Sequence, residues 1–272
     1  MPAHQERIER RGGKLDVGTE LDVGPLEKVP PREECAICMR VLPIHAKLQA
    51  YAGCCGKTIC AGCDHQHKMK SGEQPTCTCA FCREPKPARK SVEKLLAQLR
   101  KRVKRKDRNA IFTLGMFYGN GYYGLVVDEA KCVELLHESA GLGCSYAQYQ
   151  LGNFYADGAK GLEQNEEEAL KYWGKAAEGG NLVARHNIGR REHRNDDHAA
   201  AMRHWRLSAS GGFRGSMNSL ITCFEDGLLH HGDLAETLQA MYLARSEMKS
   251  EDRDEYIRHL KRIGKYEEYL AL

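Results

Sequence analysis

Nine of the twelve cysteines in this chain of 272 residues fall between Cys35 and Cys82. Eight of the nine read as four pairs: Cys35-Ala-Ile-Cys38, Cys54-Cys55, Cys60-Ala-Gly-Cys63 and Cys79-Ala-Phe-Cys82. Two residues between paired cysteines let both thiolates of a tight turn face one metal ion. Tetrahedral zinc takes four such ligands, so eight ligands predict two zinc ions per chain. A segment this short is too small to build a hydrophobic core, so its folding is expected to depend on the metal.

The competing use of cysteine pairs is a disulfide framework, which needs an oxidising compartment. Residues 1–13 are polar and lack the apolar stretch of a secretory signal. The expected location is therefore cytoplasmic or nuclear, where clustered thiols bind metal. No apolar run approaches the ~18–20 residues of a membrane span, so no membrane partner is expected. The net charge of +4 is too small to argue for nucleic acid by itself.

The order Cys-x-Ile-Cys, Cys-Cys, Ile-Cys-x-x-Cys, Cys-x-Phe-Cys-Arg resembles a RING finger, in an all-cysteine form. The resemblance implies a cross-brace. Cys35, Cys38, Cys60 and Cys63 would hold one zinc, and Cys54, Cys55, Cys79 and Cys82 the other. Lys57 stands where the commoner pattern has a ligating histidine, and an ammonium cannot ligate zinc, so Cys55 serves instead. Gly53 and Gly56 flank the vicinal pair and are expected to give its turn backbone freedom. His45, His65, His67 and Cys77 are the alternative ligands, and Cys77 is the best placed of them to replace Cys54.

The resemblance further implies a ubiquitin transferase that acts by positioning, with no covalent intermediate. Its partner would be a ubiquitin-conjugating enzyme, contacted through Ile37 and Phe81. Arg83 matches the family's linchpin position, where a planar fork of donors bridges two proteins. Ala36 and Ala80 stand where prolines are usual, and His67 where an aromatic residue is frequent.

Beyond Pro85 and Pro87, the residues Val92, Leu95, Leu96, Leu99 and Val103 form one helical stripe. The run Arg100 to Arg108 is dense in lysine and arginine. It reads as a solvated helix end, with nuclear import or nucleic-acid contact as alternatives. No aromatics are interleaved for base stacking, so a nucleic-acid partner is not favoured.

From Asn109 the chain repeats. Ala110, Leu114, Gly115 and Tyr118 recur as Ala147, Leu151, Gly152 and Tyr155, and Asp128, Ala140 and Gly143 as Asn165, Ala177 and Gly180, an offset of 147 − 110 = 37. A third copy carries Ala184, Ile188, Gly189, Ala201, Trp205, Ala209 and Gly212. A period in this range marks a helical solenoid. The pattern A-x-x-x-L-G-x-x-Y, loop, A-x-x-x-W-x-x-x-A-x-x-G resembles the Sel-1-like repeats, relatives of the tetratricopeptide repeats, which hold peptides or other proteins.

The expected fold class is a small zinc-stabilised α+β RING module plus an all-α helical-repeat solenoid. The expected domains are a disordered 1–32, the RING module at 33–88, a basic linker helix at 89–108, three Sel-1-like repeats at 109–212, and a degenerate fourth repeat with a helical cap at 213–272. On this reading the solenoid recruits a substrate or adaptor protein. A non-catalytic zinc-binding scaffold is the alternative.

Overall fold

The computed structural model describes residues 20–45, 48–70, 78–85 and 92–266. They form two compact units. One comprises the described residues of 30–184 together with 245–266, and the other those of 20–29 together with 185–244.

The larger unit opens with the cysteine module. Strands β1 (Gln49–Ala52) and β2 (Lys57–Cys60) pair antiparallel, with Gln49 opposite Cys60 and Ala52 opposite Lys57. Helix α1 (Ala61–Lys70) follows β2 directly. Cys35, Leu42, Ile59, Cys60, Cys63 and Ala80 make a core of six buried residues, three of them cysteines. Among the described residues that core is small, as expected of so short a segment.

Helix α2 (Val92–Val103) buries Leu96 and Leu99, two residues of its apolar stripe. Helices α3 (Arg108–Asn120), α4 (Glu129–Gly141), α5 (Ser145–Asp157) and α6 (Glu166–Glu178) then form two antiparallel pairs. The sequence repeat is also a repeat of backbone conformation. Gly121 and Gly158 end the first helices in the left-handed region, at φ 65° and 63°. Asp128 and Asn165 cap the second helices by accepting from Lys131 N and Glu168 N. Gly143 and Gly180 close the pairs at φ 79° and 80°.

Each first helix carries a glycine because a neighbour lies where a side chain would be. A Cβ on Gly115 would lie 3.2 Å from Leu135 Cβ, and one on Gly152 would lie 2.5 Å from Trp173 Nε1. The core of the pairs runs from Leu99, Ala110, Ile111, Leu114 and Leu135 to Cys132, Leu136, Ala140, Cys144, Ala147 and Leu151.

Helix α7 (Leu182–Arg194) leads into the smaller unit, which holds α8 (His198–Ser210), α9 (Arg214–Glu225) and most of α10 (His231–Glu247). Asp197 caps α8, accepting from Ala200 N, and a Cβ on Gly189 would lie 2.6 Å from Trp205 Nε1. The third copy thus repeats the geometry of the second. Its core contains Ala201, Met202, Trp205, Ala209, Met217, Leu220, Cys223 and Leu234, and also Val23 from the N-terminal stretch. Arg206, 2% exposed, is paired with Asp233 at 3.0 Å and Glu236 at 2.7 Å and donates to Gly24 O.

The expectation of a disordered N-terminus therefore needs correction for residues 20–32. Leu21 N donates to Leu228 O, Val23 is buried, and Arg32 donates to Leu42 O. Residues 1–19 lie outside the described residues. The last helix, α11 (Glu251–Arg262), returns to the larger unit and packs against α1. Among the described residues, no helix is long and apolar enough to cross a membrane.

Candidate metal centre

The eight paired cysteines come together in two groups of four, Cys35 with Cys38, Cys60 and Cys63, and Cys54 with Cys55, Cys79 and Cys82. In each group all four sulfurs lie within 4.8 Å of one another. Cys38 and Cys60 are 4.0 Å apart, Cys55 and Cys79 3.9 Å, and Cys54 and Cys82 3.5 Å. A tetrahedral zinc with bonds of ~2.3 Å needs sulfurs about 3.8 Å apart. The donor set and its spacing fit zinc at both centres. The pairs interleave along the chain, first and third in one group, second and fourth in the other.

Local backbone geometry explains how the pairs aim their sulfurs. The first and fourth pairs are the same turn built twice. Met39 N donates to Cys35 O at 2.9 Å and Arg83 N to Cys79 O at 3.0 Å. Cys35 N then donates to Arg40 O, and Cys79 N to Glu84 O. Short antiparallel bridges, Glu34 with Val41 and Thr78 with Pro85, close both turns. The residue after the second cysteine is left-handed in each, Met39 at φ 56° and Arg83 at φ 64°. Side chains other than glycine pay for that conformation, so both turns are held against strain by their surroundings. The third pair needs no such turn: Cys60 ends β2 and Cys63 lies in the first turn of α1. Cys54 and Cys55 sit in the turn of the hairpin, where Gly56 is at φ 73° and donates to Ala52 O. Gly53, expected to share that role, is not in the left-handed region.

Electrostatics within the groups favour a cation. In the first, the hydrogen-bonded thiol of Cys60 holds Cys35 down at about 4. The Cys60 thiol is raised by the same bond, and burial pushes Cys63 up to about 12. In the second, burial raises Cys54 and Cys55. Burial also raises Cys79, but hydrogen bonds from the backbone N–H groups of Cys82 and Phe81 and from the thiols of Cys54 and Cys82 together outweigh it and bring that thiol to about 7. Crowded thiols of this kind cannot all ionise on their own, whereas a divalent ion deprotonates its ligands outright.

The alternative ligands stand apart. His65 packs its ring against Tyr256 and His259, at 5.2 and 4.7 Å between centroids. His67 Nε2 is 3.0 Å from Thr78 Oγ1. His45 belongs to neither group, and Cys77 lies outside the described residues. Lys57 places its ammonium 5.8 Å from the centre of the Phe81 ring. Ile37 and Phe81 are about two-fifths exposed, at 41% and 42%, and Arg83 is exposed.

Sequence reasoning missed the residues that hold this module to the helices. Arg102 of α2 donates to Cys54 O at 3.1 Å and lies 4.0 Å from Asp107. Asp107 caps α3 and accepts from the Tyr51 hydroxyl at 2.8 Å. Gln49 donates to the Tyr146 hydroxyl of α5 at 2.6 Å. Lys106 pairs with Glu138, and Arg108 with Glu33. The basic run is thus partly a set of struts, not simply the solvated helix end that its composition suggests.

Comparison with known proteins addresses the helical part. The Sel1 repeat model matches residues 109–144 and 145–181. Among solved structures, a Sel1 repeat protein from Oxalobacter formigenes is 26% identical, with 47% of this chain and 98% of that one covered, at a TM-score of 0.43. A protective antigen of uropathogenic Escherichia coli with an SLR fold is 24% identical, at a TM-score of 0.46. The match covers 53% of this chain and 32% of that one, so this chain spans about a third of the antigen's length. No curated protein matches the chain. The segments that match the Sel1 repeat are the helix pairs α3–α4 and α5–α6.

Proposed function

We propose that this chain is a RING-type ubiquitin ligase whose cross-braced module holds two zinc ions and whose Sel1 repeats recruit a substrate or adaptor. The observation that carries the reading is the interleaving of two four-cysteine groups around turns that leave Ile37, Phe81 and Arg83 open to solvent. Zinc at these centres would offset part of the charge of the thiolates and fix the loops, and would take no part in bond making.

The chain's own residues then act by placement. Ile37 and Phe81 offer an apolar contact for a ubiquitin-conjugating enzyme. Arg83 offers five N–H donors in a plane, suited to carbonyls of the enzyme and of the ubiquitin it carries. Holding that thioester in its reactive geometry lowers the entropic part of the barrier to transfer. Stacked helix pairs supply an extended surface for the second protein. The reduced thiols on which the module depends suit the cytoplasm or nucleus.

A second reading, a zinc-binding interaction scaffold without ligase activity, is favoured by His67. It stands at a position where the family often has an exposed aromatic, and its ring is engaged with Thr78. One experiment separates the two. Native mass spectrometry counts the zinc ions, and autoubiquitination is run with a panel of conjugating enzymes on wild type, Ile37→Ala and Arg83→Ala. Chains from wild type, lost in both variants at two zinc ions per chain, support the ligase. Two zinc ions with no chains from any conjugating enzyme support the scaffold. Fewer than two ions per chain refutes the cross-brace.

A further inference from the structure

We infer that Arg253, on the helix α11, is the outer-sphere cation of the first cysteine group, so that α11 is a working part of that metal centre. The inference rests on the metal reading above and concerns a residue 215 positions from Cys38, one of the ligands it touches.

Arg253 is 7% exposed. Its Nη2 lies 3.6 Å from Cys38 Sγ, and the guanidinium also lies against Cys60. Nη1 donates to Val41 O at 2.8 Å and to Met248 O, and Nη2 reaches Arg40 O at 3.4 Å. Its Nε is buried and has no hydrogen-bond partner. Among the described residues, no carboxylate pairs with this guanidinium.

A buried cation without a carboxylate requires another source of negative charge, because burying an unpaired charge costs several kcal/mol. Four thiolates around one divalent ion carry a net negative charge, and the guanidinium is set against two of those sulfurs. Arg102 at the second group is different: it touches the carbonyl of Cys54, not a sulfur, and has Asp107 beside it. Arg206 in the other unit is equally buried but is matched by Asp233 and Glu236. Of these three arginines, Arg253 alone has sulfur in place of a carboxylate.

The approach of α11 is built for this contact. A Cβ on Gly62 would lie 2.8 Å from the backbone of both Asp252 and Arg253, so only glycine lets the first turn of α11 sit on the Cys60-Ala-Gly-Cys63 turn. Ser250 caps that turn of α11, its hydroxyl accepting from Arg253 N at 3.3 Å. Asp252 works in the opposite sense, with a carboxylate oxygen 4.0 Å from Cys63 Sγ. The guanidinium, with contacts to two sulfurs and to both carbonyls that follow the first turn, outweighs it. Arg253 thereby both offsets the charge of the ligands and fixes the loop that presents Cys38.

The test uses the full chain. Cadmium NMR resolves the two ions site by site, and competition with a chelator gives zinc affinities, for wild type, Arg253→Met, Arg253→Lys and, as a control at the other centre, Arg102→Met. Arg253→Met is expected to weaken one of the two ions by about ten- to hundred-fold, the range for loss of an outer-shell partner. Arg253→Lys keeps the charge and is expected to lose less. Hydrogen exchange in wild type is expected to show protection of 251–262 lost when metal is removed. Two ions held by Arg253→Met as tightly as by wild type overturn the inference. If Arg253→Met does not fold, unchanged protection of α11 in metal-free wild type overturns it. Wild type that binds no metal refutes the metal reading itself, a result distinct from either.

Discussion

Gly152 gives the sharpest test of how the repeats pack. Changing it to alanine adds one methyl group in the middle of α5. In an open helix that change stabilises by about 1 kcal/mol, because alanine is the better helix former. Here the added carbon would lie 2.5 Å from Trp173 Nε1 and 3.0 Å from its Cγ. Ordinary contact is ~3.5–4 Å, so the indole or the helix must move by roughly 1 Å. The indole is 5% exposed and hydrogen-bonded through Nε1 to Asn153 Oδ1 at 3.0 Å, so moving it disturbs that bond as well. Overpacking of this kind costs about 1–3 kcal/mol and a lost hydrogen bond about 1 kcal/mol. Subtracting the helix gain leaves a net loss of roughly 1–3 kcal/mol. Gly174→Ala in α6 is the control, since nothing lies within 4 Å of its added carbon. It is expected to stabilise by about 0.5–1 kcal/mol. Urea unfolding followed by tryptophan fluorescence, at constant zinc, compares the midpoints. Gly152→Ala that gains as much as Gly174→Ala would refute the close helix approach.

Three further outcomes are expected. Asp107→Ala removes the cap of α3 and the acceptor of the Tyr51 hydroxyl, so urea unfolding should show a loss of about 2–3 kcal/mol, and Asp107→Asn a smaller one; a loss no larger than an exposed-surface change would refute the strut. Burial, aided by Arg190, brings His186 down to about 4 from an unfolded value near 6.5. The unfolded chain then takes up the proton first, so stability is fully present above pH 6.5 and falls between pH 6.5 and 4, by up to ~3 kcal/mol. His186→Gln should remove that part of the slope in urea midpoints measured against pH, and an unchanged slope would count against it. Met39 is 67% exposed and left-handed, so Met39→Gly should raise the chelator concentration needed to unfold the module, by up to ~1 kcal/mol after glycine's own entropy cost; a fall would show that the turn is unstrained.

The helical part was legible because each repeat states its own constraints. Gly152 and Gly189 sit under tryptophans, Asp128, Asn165 and Asp197 cap helices, and Gly121 and Gly158 end them, all through neighbours close in sequence. The grouping of the cysteines followed from paired spacing and from the resemblance that supplied the interleaved order. The supports of the module were not legible. Arg102 looks like any cation in a basic run until Cys54 and Asp107 are beside it, and Arg253 sits in a charged helix with nothing local to mark it. Contacts spanning 48 and 215 residues leave no periodic trace. Val23 was lost in a polar stretch for the same reason, since its pocket comes from 201–234.

The return of α11 to the first cysteine turn also sets a schedule for biosynthesis. The cysteine module leaves the ribosome early, but the arginine that covers it is made 215 residues after Cys38. At ~5–20 residues per second that interval is roughly 10–40 s. For most of it the thiols of the first group and the face of α1 that α11 covers are bare, open to metal, to oxidants and to other chains.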